Sequence, residues 1–527
     1  MKVRLIVCTV LLCAATVPLQ AAAQQQATSG CNRSNGNRFN LEARPNALVQ
    51  VAQSVAALPN RAGQHNIDLL VATGIDARGF FDNPNAVILS ADAYYVQRSG
   101  NNCAADFEGG MPVITNTEDD FIPFGTPTVA ADATHDAFFI ADARFGALHD
   151  FVGVGVVKTT AANLLDTTTC PNGTHDGAQT ITCWTLGAVT HINSPGSIIF
   201  NPHLVVDQRT KGKGASDLYV ITTVNDTNAG NFRVFLSACT NGLNCSSSTL
   251  VSGSDQNADN AWVQVRPDGG ITISYENRPQ GGSAPMDIKF VNCAPTGAPN
   301  APSCSAPVLV SREKTPIFAT VLGDVATQDV TYPRHANRLE SDGRTVTTFL
   351  VYDRCEVSLI GFFKGVGVNC PKTDVVLTSS KDGGSTWSPV LKVTTKKGQQ
   401  FFANVATDDS TGTVNVAYLS TENDPASERP QVFLAQVLPG SSTVGVSKQL
   451  TTTFSDVEAT TNLFGFSQPG FGPTGEPFGD RIGLAAVGTG TAGQSHAYVG
   501  FTSNSVSGTY SGVNSPDINN HLTRFEY

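Results

Sequence analysis

The sequence predicts an all-β protein, a β-propeller of four-stranded antiparallel blades. Three observations carry that prediction. A strand–turn–strand unit recurs along the chain, its turn acids are spaced nearly regularly, and the composition suits strands joined by many turns. Only 15% of residues are charged, and 49 of the 527 are Gly. Thr, Ser, Val and Asn crowd the strand-like segments.

The N-terminus reads as a secretory signal peptide over residues 1–23. MKVR is a short basic start, LIVCTVLLCAATVPL is an apolar stretch too short to span a bilayer, and a small-residue cleavage site follows at Ala23. No later segment is long and apolar enough to cross a membrane. A linker is expected over 24–45 and a single propeller domain over 46–527. The expected location is secreted or periplasmic, and the expected state a monomer. A formal charge of −11 gives no basic stripe for phosphates, so nucleic acid is not an expected partner.

The repeat is read from TVAADATHDAFFIAD, LVVDQRTKGKGASDLYVITT, VQVRPDGGITISY, RLESDGRTVTTFLVY and VATDDSTGTVNVAYL, with a looser copy, IGLAAVGTGTAGQSHAYVGF, near the C-terminus. Asp132, Asp207, Asp268, Asp342 and Asp408 recur at intervals of roughly 60 to 75 residues, the range of propeller blades with variable loops. Their expected role is structural, because Asp bonds locally within turns. A second β-rich hairpin follows each first one. The stretch AYYVQRSGNNCAADFEGGMPVIT resembles such a second hairpin without its first. Joining first and last segments in one sheet would close the ring and remove exposed edges. Six blades are preferred, and seven remain open because DLLVATGID (68–76) is able to begin another.

In the hairpin around residues 378–388 stands TSSKDGGSTWS. Its Ser380, Asp382, Gly384, Thr386 and Trp387 resemble the Asp-box of sialidases and related BNR-repeat propellers, Ser-x-Asp-x-Gly-x-Thr-Trp, at all five fixed positions. The resemblance implies a sialidase-like propeller in which the box is a folding device remote from any active site. Asp382 is then a turn clamp, since a short carboxylate accepts N–H groups inside its own turn. Other hairpins carry cysteines at the corresponding place. Ten of the twelve cysteines lie beyond the signal peptide. The expected pairs are Cys170–Cys183, Cys239–Cys245, Cys293–Cys304, Cys355–Cys370 and Cys31–Cys103, in an oxidising compartment. Metal binding by these cysteines is disfavoured because they lack CxxC spacing.

If each first hairpin turns on one face, the loops ADARFG, TVND, SYENRP, VYDRC, STENDP and FGDRIG gather on the other. They offer Tyr275, Glu276 and Asp353 as candidate catalytic groups. Arg144, Arg278, Arg354, Arg481 and Asp480 are candidate ligand-binding groups. The resemblance implies arginines holding a sugar carboxylate, a Tyr nucleophile with Glu, and an Asp acid/base; guanidinium forks suit such an anion. The competing reading is hydrated loops and inter-blade salt bridges. The sialidase signature Phe/Tyr-Arg-Ile-Pro is missing, and FRVF (232–235) and YPRH (332–335) are poor substitutes too far along the chain. DQNADN (255–260) has the start of a calcium loop without its Gly and distant Glu, so no cofactor is expected, with calcium at this loop as the alternative. The expectation is therefore an exported propeller that binds a glycan or cell-surface polymer, with an exo-glycosidase as the alternative.

Overall fold

The computed structural model describes residues 38–40, 50–59, 68–76, 91–98, 105–115, 120–146, 152–175, 183–193, 197–209, 218–226, 230–278, 285–297, 300–313, 319–320, 326–327, 331–356, 368–369, 372–427, 429–445, 447–455, 481–488, 495–510 and 513–527. The signal peptide, Cys31, Cys103, Cys370 and Asp480 lie outside these residues. Among the described residues no helix is long and apolar enough to cross a membrane.

Among the described residues seven main sheets, antiparallel except where Gly173–His175 joins Phe107–Gly110 in parallel, follow one another along the chain and make a seven-bladed β-propeller; a small three-stranded sheet lies outside them. Blade 1 begins with Gln50–Leu58 and Leu69–Asp76, blade 2 with Asp120–Asp132 and Ala137–Gly146, and blade 3 with Ser197–Val206 and Leu218–Asp226. Blade 4 begins with Ala258–Val265 and Ile271–Asn277, blade 5 with Arg334–Leu339 and Val346–Cys355, and blade 6 with Gln400–Asp408 and Thr413–Ser420. Blade 7 contains Gly483–Val487, His496–Tyr510 and Val513–Glu526.

The count corrects the preference for six. AYYVQ does have a first hairpin before it: Leu69–Asp76 pairs with both Gln50–Leu58 and Ala91–Gln97. That hairpin was hard to read because no turn acid of the repeat marks it. Arg38–Asn40 pairs with Thr523, Leu522 and His521 as the outermost strand of blade 7, joining the two ends of the chain in one sheet.

Each blade packs its middle strands between neighbours, so these strands are buried on both faces. Thr413–Ser420 is buried at every position, and Ile271–Glu276 likewise. Separate core clusters bridge successive blades around the whole ring. Phe121, Phe138 and Ile140 join Leu58, Val71 and Tyr94 between blades 1 and 2. Val55, Leu70 and Tyr95 meet Val487, Tyr498 and Leu522 between blades 1 and 7. Burying such side chains stabilises by about 1.5–3 kcal/mol each. The outermost strands of blades 3, 5 and 6 are only two residues long, which limits the exposed pairing edge.

Two local devices set the inner strands. At one end, Asp132, Asp207, Asp268, Asp342 and Asp408 each accept the N–H of the residue two positions on, at 2.9 to 3.1 Å. This is the turn bonding expected of short carboxylates. Toward the other end the ladder is broken by a bulge in blades 2, 3, 4 and 6. Thr126, Asn201, Asn260 and Phe402 stand there in left-handed backbone, at φ 55°, 48°, 52° and 56°. Tyr332 occupies the corresponding place before the inner strand of blade 5, at φ 25°. The bulge re-aims the residue two positions later.

Three hairpin disulfides form as paired from the sequence: Cys170–Cys183, Cys239–Cys245 and Cys293–Cys304. Cys355 is also disulfide-bonded. In the outer hairpin of blade 5, Asp382 Oδ1 accepts the N–H of Thr386 (2.9 Å) and the hydroxyl of Ser380 (2.8 Å). The Thr386 hydroxyl, donating to Asp382 Oδ2 (2.5 Å), and then these two bonds hold its carboxyl down at about 2. Gly384 has φ 87°, and a Cβ there would lie 2.4 Å from Phe290. Trp387 packs edge-on against the same Phe290 ring at 5.1 Å and donates Nε1–H to Gly384 O at 3.0 Å.

Candidate functional site at the propeller axis

The inner strands of all seven blades surround a cavity of about 220 Å³. The residue two positions after each bulge lines it: Thr128, His203, Trp262 and Asn404, with Arg334 in the same place after Tyr332. Ser54 and Gly483 complete the ring on blades 1 and 7. Gly483 lets the backbones of these two blades approach, since a Cβ there would sit 3.0 Å from Ser54 Cα.

One wall is aromatic and cationic. The His203 and Trp262 rings stack at 3.4 Å, and the Arg334 guanidinium carbon lies 4.5 Å from the Trp262 ring centre. Arg334 and Arg481 both approach the Tyr332 ring, at 5.4 and 5.7 Å. Trp262 donates Nε1–H to His335 O (3.1 Å), which ties blade 4 to blade 5. Asn404 donates to Ile482 O (2.8 Å), tying blade 6 to blade 7. Arg481 donates to Asn201 Oδ1, and Asn201 donates in turn to Asn260 Oδ1 at 2.8 Å. The buried His203 has its pKa pushed well down, first by desolvation and then by the Arg334 charge.

The candidates read from the sequence distribute differently. Of the arginines named there, Arg481 alone lines the cavity. Arg144 is fully buried within blade 2, donating Nε–H to Asp142 Oδ1 (2.7 Å) and another N–H to Pro112 O (2.6 Å). It lies across Gly155, where a Cβ would come within 1.9 Å of its Nε. Arg144 is not among the residues lining the cavity. Arg278 donates Nε–H to Glu276 Oε1 (2.9 Å) and approaches Asp259 at 3.7 Å. Arg354 is half-buried beside Asp374 in the ladder of blade 5.

Glu276 is fully buried, accepting from Arg278, from Asn260 Nδ2 (2.8 Å) and from the Thr331 hydroxyl. Tyr275, its neighbour on the strand, points the other way into the blade 3–blade 4 core. Its hydroxyl donates to Asp255 at 2.7 Å, and burial pushes its pKa upward. Asp353 accepts the N–H groups of Phe402 and Ala403 (3.1 Å), holding the left-handed bulge of blade 6. Burial outweighs these two bonds and pushes its carboxyl up to about 8. Of the suggested calcium loop, Asp255 takes the Tyr275 hydroxyl and Asp259 Oδ1 takes the N–H of Asn260 (2.7 Å). Among the described residues no three His, Cys, Asp or Glu side chains group as metal ligands would.

Sequence reading missed His203, Trp262 and Arg334. A signal existed in T-P-T, N-P-H and Y-P-R, where Pro precedes Thr128, His203 and Arg334. YPRH is a poor substitute for the Phe/Tyr-Arg-Ile-Pro signature, yet its Arg334 lines the axial cavity.

No family model and no curated protein matches the chain. Solved structures are similar at low identity. An α-L-arabinofuranosidase from Fusarium graminearum is 10% identical with a TM-score of 0.40, covering 78% of this chain and 98% of that one. A protein of unknown function from Dyadobacter fermentans is 12% identical with a TM-score of 0.40, covering 79% and 97%. An endo-arabinase from Bacteroides thetaiotaomicron is 12% identical with a TM-score of 0.31, covering 62% and 94%. Likeness of this degree carries no argument about the chemistry of this chain.

Proposed function

We propose that this protein is an exported, disulfide-stapled propeller that binds a glycan or surface polymer at its axial depression and does not cleave it. The observation that carries this reading is the cavity lining. It offers an aromatic stack, amides and guanidinium groups, and no carboxylate among the described residues. Planar polar groups beside aromatic surface suit sugar hydroxyls and ring faces. Hydrolysis of a glycoside ordinarily needs two carboxyl groups flanking the bond, or an acid with a Tyr nucleophile. Here Glu276 is held by three side chains, Asp353 clamps a bulge, and the Tyr275 hydroxyl is engaged between blades.

The test is a paired assay on the oxidised mature protein. Fluorogenic sialosides and other glycosides report hydrolysis, and an array of immobilised oligosaccharides reports binding. Binding without release is the expected outcome. Sugar release that Glu276→Gln abolishes in a folded protein would replace this reading with the exo-glycosidase one.

A further inference from the structure

Three arginines at the turn-acid end of neighbouring blades are built alike. Arg209 of blade 3 donates Nε–H to Asp207 Oδ1 (2.8 Å), and Arg338 of blade 5 donates Nε–H to Glu340 Oε1 (3.0 Å). Each gives Nη2 to the same carboxylate and spends Nη1 on a backbone carbonyl of the next blade. Arg209 Nη1 reaches Asp268 O (3.1 Å), and Arg338 Nη1 reaches Leu438 O (3.0 Å). Arg266 of blade 4 grips Asp268 through Nε (3.0 Å) and Nη2 in the same way. Its Nη1 lies against the Asp382 hairpin of blade 5, where a Cβ on Gly383 would sit 3.3 Å from it. The Gly383 carbonyl, however, is taken by Asn292 Nδ2 at 2.6 Å. Among the described residues, no carbonyl is left for Arg266 Nη1.

Arg266 and Asp268 line an open depression of about 580 Å³, together with Ser303, Pro295 and the Cys293–Cys304 disulfide. Asp268 accepts three N–H groups, two from Arg266 and one from Gly270 (3.0 Å). A carboxylate has about four acceptor sites, so one remains beside the unspent donor. The two charges offset each other, so the pair offers a donor and an acceptor without favouring an ion. An extended peptide residue presents its own C=O and N–H side by side and matches that pattern. Pro295 and the disulfide add apolar surface for a small side chain. We propose that this depression binds an extended, uncharged peptide segment of a partner protein. A backbone carbonyl accepts from Arg266 Nη1, and an N–H donates to Asp268. The segment takes the place that the next blade's own backbone fills for Arg209 and Arg338.

The experiment screens blocked, uncharged hexapeptides on an array that also carries neutral oligosaccharides. Hits are titrated by fluorescence polarisation against the wild type, Arg266→Gln and Ser303→Trp, each checked for native near-UV circular dichroism. Ser303 is exposed, so a large side chain there obstructs the depression without entering the core. Peptide binding is expected, with each substitution weakening it at least about tenfold. High salt should change it little, since no net charge is paired. Ester replacements, each removing one peptide N–H, should reveal one position that also weakens binding about tenfold. Peptide binding that neither substitution moves overturns the proposal, and so does no peptide binding at all. Oligosaccharide binding blocked by Ser303→Trp, without peptide binding, replaces the peptide with a sugar and overturns it too. Glycan retention at the axis should be untouched by Ser303→Trp, so this proposal and the axial reading fail separately. If Arg266→Gln does not fold, Ser303→Trp and the ester series decide.

Discussion

Asp353 of blade 5 holds Phe402 of blade 6: its carboxyl oxygen accepts the Phe402 N–H while that residue stands at φ 56°. The bond continues to Ala403 at 3.1 Å and sets the approach of Asn404 to the axial cavity. Asp353→Ala leaves two buried amides without this acceptor. It is expected to destabilise the protein by about 2–5 kcal/mol, measured by urea unfolding.

The same residue gives a pH dependence with a definite sign. Its carboxyl is raised from 3.8 to about 8 in the folded protein, chiefly by burial. The folded state thus binds more protons than the unfolded one across that window, so the contribution is fully present below pH 3.8 and is lost as pH rises through about 8. Urea midpoints measured from pH 5 to 9 should fall for the wild type more steeply than for Asp353→Asn. Equal slopes would remove Asp353 as the cause.

Asp382 behaves in the opposite direction. Its carboxyl is lowered to about 2 by Thr386 and Ser380, so its contribution is present above the ordinary value of 3.8 and is lost as pH falls toward 2. Asp382→Asn should shrink the loss of thermal stability between pH 5 and pH 3. In the same turn, Gly384→Ala combines a left-handed φ with a collision on Phe290, and should cost about 1–3 kcal/mol.

Trp262 joins three blades through the His203 stack, the Arg334 contact and the bond to His335 O. Trp262→Ala should lower stability by about 2–4 kcal/mol and abolish glycan retention on the array. Trp262→Phe keeps a ring but loses the indole N–H. It should cost about 1 kcal/mol and preserve part of the binding.

Each hairpin disulfide closes a loop whose length orders its effect. The sequence separations are 13 for Cys170–Cys183, 11 for Cys293–Cys304 and 6 for Cys239–Cys245. Paired Cys→Ser substitutions should cost about 2–3 kcal/mol each by loop entropy, least for the shortest loop. Chevron or urea series on the three double variants would check both size and order.

The local elements were legible because their causes are local. Asp132, Asp207, Asp268, Asp342 and Asp408 bond N–H groups two residues away, and Asp382 closes its own hairpin. Cys239 and Cys245 face each other across one turn. Blade 1 was less legible, because its first hairpin carries none of these marks and is specified by apolar packing against blades 2 and 7.

Sequence by itself therefore determined an all-β repeat, its turn clamps and its short disulfide staples, since each depends on residues within one hairpin. Tertiary structure alone decided the number of blades, the burial of Arg144 and Tyr275, and the meeting of His203, Trp262, Arg334 and Arg481 at the axis. The physical reason is distance along the chain. Asn201 and Arg481 are 280 residues apart and share a hydrogen bond only because the ring closes. Which arginine is buried within a blade and which lines the cavity is set by strand placement in the ring, and residue type does not reveal it.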